Sequence, residues 1–471
     1  MKRLLSSAIL ATTFTFATTV NGEFVKAIET WSLPGDEDLT ISKLGVTFNI
    51  TPFWFAGVNM YGATSGERGG FFTFGFESGV QSNPDKLFQL RSGVFVGAGG
   101  GGAAPQGGGL MLREFIEARV NTKYASVGAG VSHVDFPNGD IKSTQGFAAL
   151  YIPFTLQKDG GSYYLQDFKL KNKIYIKGGK YLTDSSAKTT SGASLDDMTL
   201  IGIEAQGFFT DKIFTTFSLS GANGDNTDGY MEVFGGLGIE QQIFSLPIYA
   251  SLIGELGMGG GGKVDTGGGS MYKARATLEA NIAKNIRLGV EGGYVKSFDG
   301  TFEAKYVGAY FGFKSVFGDK NENEDYYDIR ALSKVHLSSK GDFKDPQKDE
   351  KIYLEGLAID KYITENFYIS GQSLWAFKGE SGGYTEGLLG LGYIYNLSDN
   401  ILFRAEALIG AAGGGGVKTD GLIGVVDTSF DYKFNKNFYI SVGGGYTKAK
   451  SGLSSSDVSI GFGYKFGIYT K

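Results

Sequence analysis

The sequence predicts an all-β fold, a transmembrane antiparallel up-and-down β-barrel of about 24 strands arranged as three eight-strand repeats. Three observations carry this. Apolar and polar residues alternate with period two in segment after segment. Tight turns alternate with long glycine-rich loops. One ordered set of segments occurs three times.

The alternation is cleanest from Met271 onward. Tyr272, Ala274, Ala276, Leu278, Ala280 and Ile282 alternate there with Lys273, Arg275, Thr277, Glu279 and Asn281. Val426, Thr428, Phe430, Tyr432 and Phe434 alternate likewise with Asp427, Ser429, Asp431 and Lys433. Side chains in a strand point to opposite faces in turn, so one face is apolar and the other polar. A helix would need spacings of three and four, which these segments lack. In the second unit the strands are expected to start near Tyr163, Met198, Lys212, Tyr230, Leu246, Met271, Asn285 and Phe302.

Alternation alone also suits a soluble sandwich, and the turns discriminate. Short connections (ITP at 50–52, NTK at 121–123, TDK at 210–212, NKN at 435–437) take turns with longer ones rich in glycine and charge, such as ATSGERGG and GANGDNTDG. Membrane barrels show this asymmetry, with short periplasmic turns and longer external loops. Aromatic residues flank the short turns (Phe53-Trp54-Phe55, Phe208-Phe209, Phe438-Tyr439) and would form an interfacial belt.

The repeat is marked by three glycine tracts, at 97–102, 257–262 and 411–416, which start 160 and 154 residues apart. Each follows an apolar strand and precedes an alternating one. None has the G-x-x-x-x-G-K-[ST] spacing of a phosphate loop. They read as relief of crowding where strands bend into a loop. The units are 23–160, 161–316 and 317–471, after a secretory signal at 1–22. That signal has Lys2 and Arg3 before an apolar-to-neutral stretch, then small residues at Ala17 and Gly22 as cleavage points.

Composition narrows the class further. Glycine fills 75 of 471 positions, proline only 8 and cysteine none, so neither a collagen-like chain nor a disulfide-stapled domain fits. No window offers about 20 consecutive apolar residues, so no transmembrane helix is expected. Mean hydropathy near zero suits a membrane barrel, because only alternate residues meet lipid. A net charge of −5 with both signs interspersed argues against nucleic acid as a partner.

The last strand carries Gly461, Tyr464 and Phe466, a G-x-x-aromatic-x-aromatic pattern. In this the chain resembles the porin-like outer-membrane β-barrel superfamily of Gram-negative bacteria. The pattern resembles the C-terminal signal read by the outer-membrane assembly machinery, although Gly467–Lys471 follow it here. The resemblance implies the outer membrane as location, with its lipid, lipopolysaccharide and the assembly machinery as partners. A homo-oligomer is compatible with it.

Two closures satisfy the rule that lipid tolerates no open sheet edge. All strands could form one wide barrel, which the tight first join at 158–161 favours and which is the preferred reading. The alternative is three consecutive eight-stranded barrels. Gly308, Phe311 and Phe313, which repeat the closing pattern at the end of unit two, point that way. The polar face names the lumen candidates: Arg91, Arg113, Glu117, Arg119, Glu255, Lys273, Arg275, Glu279, Arg404, Glu406, Asp427, Asp431 and Lys433. In a wide barrel they would line an aqueous path for small solutes, whereas in small barrels they would pair as an internal salt-bridge core.

The leading functional expectation is therefore a porin-like passive channel for small hydrophilic solutes or ions. The alternative is a non-conducting structural or adhesive surface protein made of small closed barrels. A hydrolase centred on His133, with Ser132 and Asp135 adjacent, is the outsider, because a triad needs spatial convergence rather than sequence adjacency. The acidic stretches at Asp225/Asp228 and 319–325 lack the glycine and terminal glutamate of a calcium loop. No enzyme activity, cofactor or metal site is expected.

Overall fold

A chain that alternates faces along almost its whole length forms strands wherever both edges can be paired. The structure, a computed structural model, describes residues 19–35, 37–160, 162–165, 170–223, 227–283, 285–317, 323–348 and 350–470. The first set of strands is β1 (Thr19–Leu33), β2 (Glu37–Thr51), β3 (Trp54–Ser65), β4 (Phe72–Gln81), β5 (Phe88–Gly100), β6 (Leu110–Asn121), β7 (Ser126–Asp135) and β8 (Lys142–Asp159). A short β9 (Ser162–Leu165) follows. The second set is β10 (Leu170–Thr183), β11 (Met198–Phe208), β12 (Ile213–Ala222), β13 (Met231–Gln242), β14 (Ile248–Gly260), β15 (Ser270–Asn281), β16 (Ile286–Ser297) and β17 (Glu303–Phe317). The third is β18 (Asn323–His336), β19 (Ile352–Tyr362), β20 (Phe367–Lys378), β21 (Thr385–Asn396), β22 (Ile401–Gly413), β23 (Gly421–Lys433), β24 (Phe438–Ala449) and β25 (Ser454–Thr470).

Consecutive strands within each set pair antiparallel, and the last of each set returns to the first. β8 pairs with β1 from Phe147↔Glu29 to Gln157↔Thr19. β17 pairs with β10 from Ala304↔Thr183 to Phe317↔Leu170. β25 pairs with β18 from Asp457↔His336 to Thr470↔Asn323. The sheet therefore closes three times, into three eight-stranded barrels. The all-β, antiparallel, up-and-down class holds, and the preferred single wide closure is corrected to the alternative. The tight first join misled because Asp159 and Ser162 do form a hairpin, but its second strand is only the four-residue β9. The second barrel accordingly begins at Leu170, not near Tyr163.

The burial pattern of each barrel is inverted relative to a soluble protein. On β6, Arg113, Phe115, Glu117 and Arg119 are buried, while Ile116 and Val120 are exposed. On β15, Lys273, Arg275, Thr277 and Glu279 are buried while Ala274, Ala276 and Leu278 face out. Leu90, Val127, Leu252, Leu256, Leu391 and Val426 add to the exposed apolar exterior. A charged interior inside an apolar shell is the arrangement lipid requires. The short turns carry exposed Phe53, Tyr124, Phe209 and Phe434, which puts an aromatic belt at one end. Among the described residues no helix is long and apolar enough to cross a membrane.

Residues 1–18, with the cleavage point at Ala17, lie outside the described residues. Thr19–Gly22 pair with β8, so cleavage after Ala17 would leave β1 whole, whereas cleavage after Gly22, the end of the expected 1–22 signal, would remove the first four residues of β1.

Candidate functional site: barrel interiors and the junction between barrels

Eight strands enclose a space that side chains alone can fill. In the first barrel Arg113 reaches Glu29 at 2.8 Å, and Trp31 Nε1 and Ser132 Oγ donate to the same carboxylate, each at 2.8 Å. Arg91 and Arg119 share Glu23 at 3.3 and 2.7 Å, and Lys43 holds Glu77 at 2.5 Å. The Tyr151 hydroxyl donates to Glu117 at 2.8 Å.

The second barrel is built around Arg275. Its guanidinium contacts Glu204 at 2.7 Å, Glu255 at 2.8 Å and Glu291 at 2.5 Å. Lys177 closes the cage, at 2.7 Å from Glu204 and 2.9 Å from Glu291. Lys273 pairs with Glu232 at 2.7 Å, and Lys173 bridges Glu240 and Glu279. In the third barrel Arg404 contacts Asp328, Asp360 and Asp431 at 3.1, 3.3 and 2.9 Å. Arg330 contacts Glu406 at 2.5 Å and Lys334 contacts Asp427 at 2.7 Å. Tyrosine hydroxyls supply further donors, Tyr362 and Tyr439 to Asp328 and Tyr368 to Glu406.

The thirteen residues predicted for a lumen are thus divided among three interiors. Arg91, Arg113, Glu117 and Arg119 lie in the first, Glu255, Lys273, Arg275 and Glu279 in the second, and Arg404, Glu406, Asp427 and Asp431 in the third. Lys433 is half-buried at the turn end of β23. Arg113, Arg275 and Arg404 are among the most deeply buried side chains, each with carboxylate partners rather than open water. Sequence reading missed Glu23, Glu29, Lys177, Glu204, Glu291, Asp328, Arg330 and Asp360. The signal was there in period-two form, since Glu23, Val25, Ala27, Glu29 and Trp31 alternate along β1.

His133 and Ser132 point to opposite faces of β7. His133 is exposed and bonds Thr144, whereas Ser132 is buried on Glu29, so no Ser/His/Asp convergence forms there. His336 is buried between Glu386 at 2.6 Å and Asp457 at 2.5 Å inside the third barrel. Asp225 and residues 319–322 lie outside the described residues, and Asp228 is paired with Lys344 at 2.9 Å. Among the described residues no group of side chains is arranged to hold a metal ion.

The glycine tracts do more than relieve bending. A Cβ on Gly70 of the first barrel would sit 2.1 Å from Gly261 N of the second. One on Gly229 of the second would lie 3.0 Å from Gly414 N of the third, and one on Gly383 of the third 2.9 Å from Gly101 N of the first. All three glycines have φ between 85° and 90°. Each barrel's loop before its fourth strand therefore meets the next barrel's tract, and the series closes as a ring. Hydrogen bonds cross the same joints, Gly69 N to Gly267 O at 2.9 Å and Gln106 Nε2 to Gly382 O at 3.3 Å. Met60, Phe72 and Ala98 of the first barrel, Val233 and Met258 of the second and Trp375 of the third form one apolar cluster where the barrels meet. Phe74 stacks on Trp375 with ring centres 6.4 Å apart.

Two recesses accompany this packing. One of about 20 Å³, enough for one water, lies inside the third barrel beside Arg330, Arg404 and Glu406. The other, about 860 Å³, is a polar groove between the second and third barrels, lined by Lys180, Thr183, Asp196, Asp197, Asp420 and Lys450 among others. The hydrogen bond from Lys180, 2.9 Å away, holds the Asp197 carboxyl below its ordinary range.

No family model and no curated protein matches the sequence. Solved structures are similar only loosely. The ferric enterobactin receptor PfeA of Pseudomonas aeruginosa is 9% identical, with 96% of this chain and 81% of that one covered and a TM-score of 0.30. The siderophore receptor PirA of the same organism is 11% identical, with 95% and 80% covered and a TM-score of 0.28. The outer membrane protein OpdK, also from P. aeruginosa, is 10% identical, with 95% and 98% covered and a TM-score of 0.24. Superpositions this distant carry no argument about architecture, which rests on this chain's own strand pairing.

Proposed function

We propose that this is a non-conducting outer-membrane protein of a Gram-negative bacterium, in which three sealed barrels hold their outward loops as one platform for a structural or adhesive role at the cell surface. The observation that carries this reading is the filling of all three interiors by buried ion pairs and aromatic rings, with Arg275 and its three glutamates as the extreme case. A passive channel needs a continuous aqueous path, and eight-stranded barrels packed with their own side chains offer none. The apolar cluster of Met60, Phe72, Val233, Met258 and Trp375 blocks the space between the barrels as well. The apolar exterior, the aromatic belt at the short turns and the sequence's export signal support the outer membrane. Its lipid, lipopolysaccharide and the assembly machinery are the partners this reading implies. The polar groove beside Asp197 and Lys450, about 860 Å³, gives the platform room for a ligand.

The test is a planar-bilayer recording on refolded mature protein, with insertion verified independently. Inserted protein is expected to give no current steps. Stable steps of nanosiemens size would overturn the reading and restore the porin-like channel.

A further inference from the structure

The chain continues for five residues past Phe466, the aromatic that would end the C-terminal pattern. Gly467 and Ile468 among them pair with a strand outside their own barrel. Toward the turn end β24 stops pairing with β25 at Phe438↔Tyr464, while β18 pairs with β25 as far as Thr470. Lys465 is still bonded to Asn437 of the β23–β24 turn, but beyond it no strand of the same barrel pairs with that edge of β25. A bare edge exposes unpaired N–H and C=O groups and must be covered.

The cover comes from the join between the other two barrels. β9 pairs parallel with β25 through Ser162↔Gly467 and Tyr163↔Ile468, the one parallel pairing among the described strands. β9 is at the same time paired antiparallel with the end of β8, through Lys158↔Tyr163 and Asp159↔Ser162. The last residue of β17, Phe317, is partnered with Thr470. Side chains reinforce these contacts. The hydroxyls of Tyr163 and Tyr464 are 2.9 Å apart, Ser162 Oγ donates to Glu324 at 2.5 Å, and the rings of Tyr163 and Tyr164 lie 6.1 Å from those of Phe466 and Tyr469. Gly467 is required by this arrangement, because a Cβ there would stand 2.1 Å from Ser162 Oγ and 2.9 Å from Ser162 Cβ.

We infer that Gly467–Thr470 and Ser162–Leu165 form an in-chain docking surface, a latch by which the C-terminus fastens the three barrels to one another at their turn ends. The glycine ring joins the barrels at the loop end, and the latch joins them at the opposite end. Its two halves lie some 300 residues apart in sequence. Docking of the first barrel on the third at their turn ends is therefore completed only when Gly467–Thr470 are in place. Each barrel closes along its own seam and does not need the latch to fold.

The chain has no cysteine, which makes the test clean. In the full-length protein, Tyr163→Cys with Ile468→Cys should form a disulfide on mild oxidation, because the two positions are register partners on one face. Gly467→Val should lower the yield of that crosslink severalfold. In the cysteine-free background G467V should speed hydrogen exchange in Ser162–Leu165 by about tenfold or more, leaving the β24/β25 pairs from Phe438 to Lys448 unchanged. The inference is overturned if the double-cysteine protein folds but does not crosslink. Equal crosslinking with and without G467V, or unchanged exchange at Ser162–Leu165, also overturns it.

Discussion

At the scale of single residues the protein depends on charges that neutralise one another out of water. Burying a charge is costly unless partners replace its hydration, and removing one member of a buried set leaves the others uncompensated. Arg275 faces three carboxylates, of which only Glu204 and Glu291 have a second cation in Lys177. Arg275→Met should therefore destabilise the protein by about 3–5 kcal/mol, as read from denaturant unfolding in detergent micelles. The rim pair Lys142–Asp135, separated by 3.5 Å with the lysine largely exposed, is the contrasting case. Asp135→Asn should change stability by less than about 1 kcal/mol in the same assay, because solvent screens the pair. Equal effects at the two sites would refute the view that the interiors are sealed against water. The charged residues were legible in the sequence as the polar face of alternating strands. Their partners were not, since an Arg on β6 and a Glu on β1 are 84 residues apart and only closure brings them together.

At the scale of elements, each strand is ordinary and each loop is specific. The loop before the fourth strand of every barrel carries a left-handed glycine whose missing side chain leaves room for the neighbouring barrel's backbone. Gly70→Val puts atoms where Gly261 N now stands and also forces a branched residue into a φ of 86°. The expected outcome is a first barrel that still folds but no longer docks on the second. Spin labels on the exposed loop residues Glu67 and Ser191 would report a broadened distance distribution, and an unchanged distribution would show that the glycine contact does not govern docking. The glycine tracts themselves stood out in the sequence. Their role did not, because strand-bending relief and close approach between barrels demand the same residue type.

At the scale of the whole molecule, the joints between barrels are heterologous, each barrel presenting one surface to its successor and another to its predecessor. Such contacts generate filaments unless the rotation closes, and here three barrels close it. A protease site inserted within 318–322 and cut after folding should leave the fragments associated, as judged by native electrophoresis in mild detergent. Separation on cutting would mean that the covalent joins, rather than the ring and the C-terminal latch, hold the barrels together. The same closure accounts for the sealed interiors and hence for the silence expected in a bilayer.

The sequence by itself determined what each residue's immediate surroundings dictate. Period-two alternation set the strands and sorted inward from outward side chains. Turn and loop lengths set the two ends, and the spaced glycine tracts marked the units. What only the tertiary structure decided is where the sheet closes. Alternation is satisfied equally whether β8 is followed in the sheet by a strand of the next unit or by β1, so alternation does not distinguish one wide barrel from three small ones, and the repeated closing motif at Gly308, Phe311 and Phe313 was the one local pointer to the second. The choice rests on pairing across more than a hundred residues, such as Thr19 with Gln157, and on whether the enclosed side chains fill the space they surround. With eight strands the arginines, glutamates and tyrosines of each unit do fill it, and that packing turns the residues of an apparent channel lining into a core.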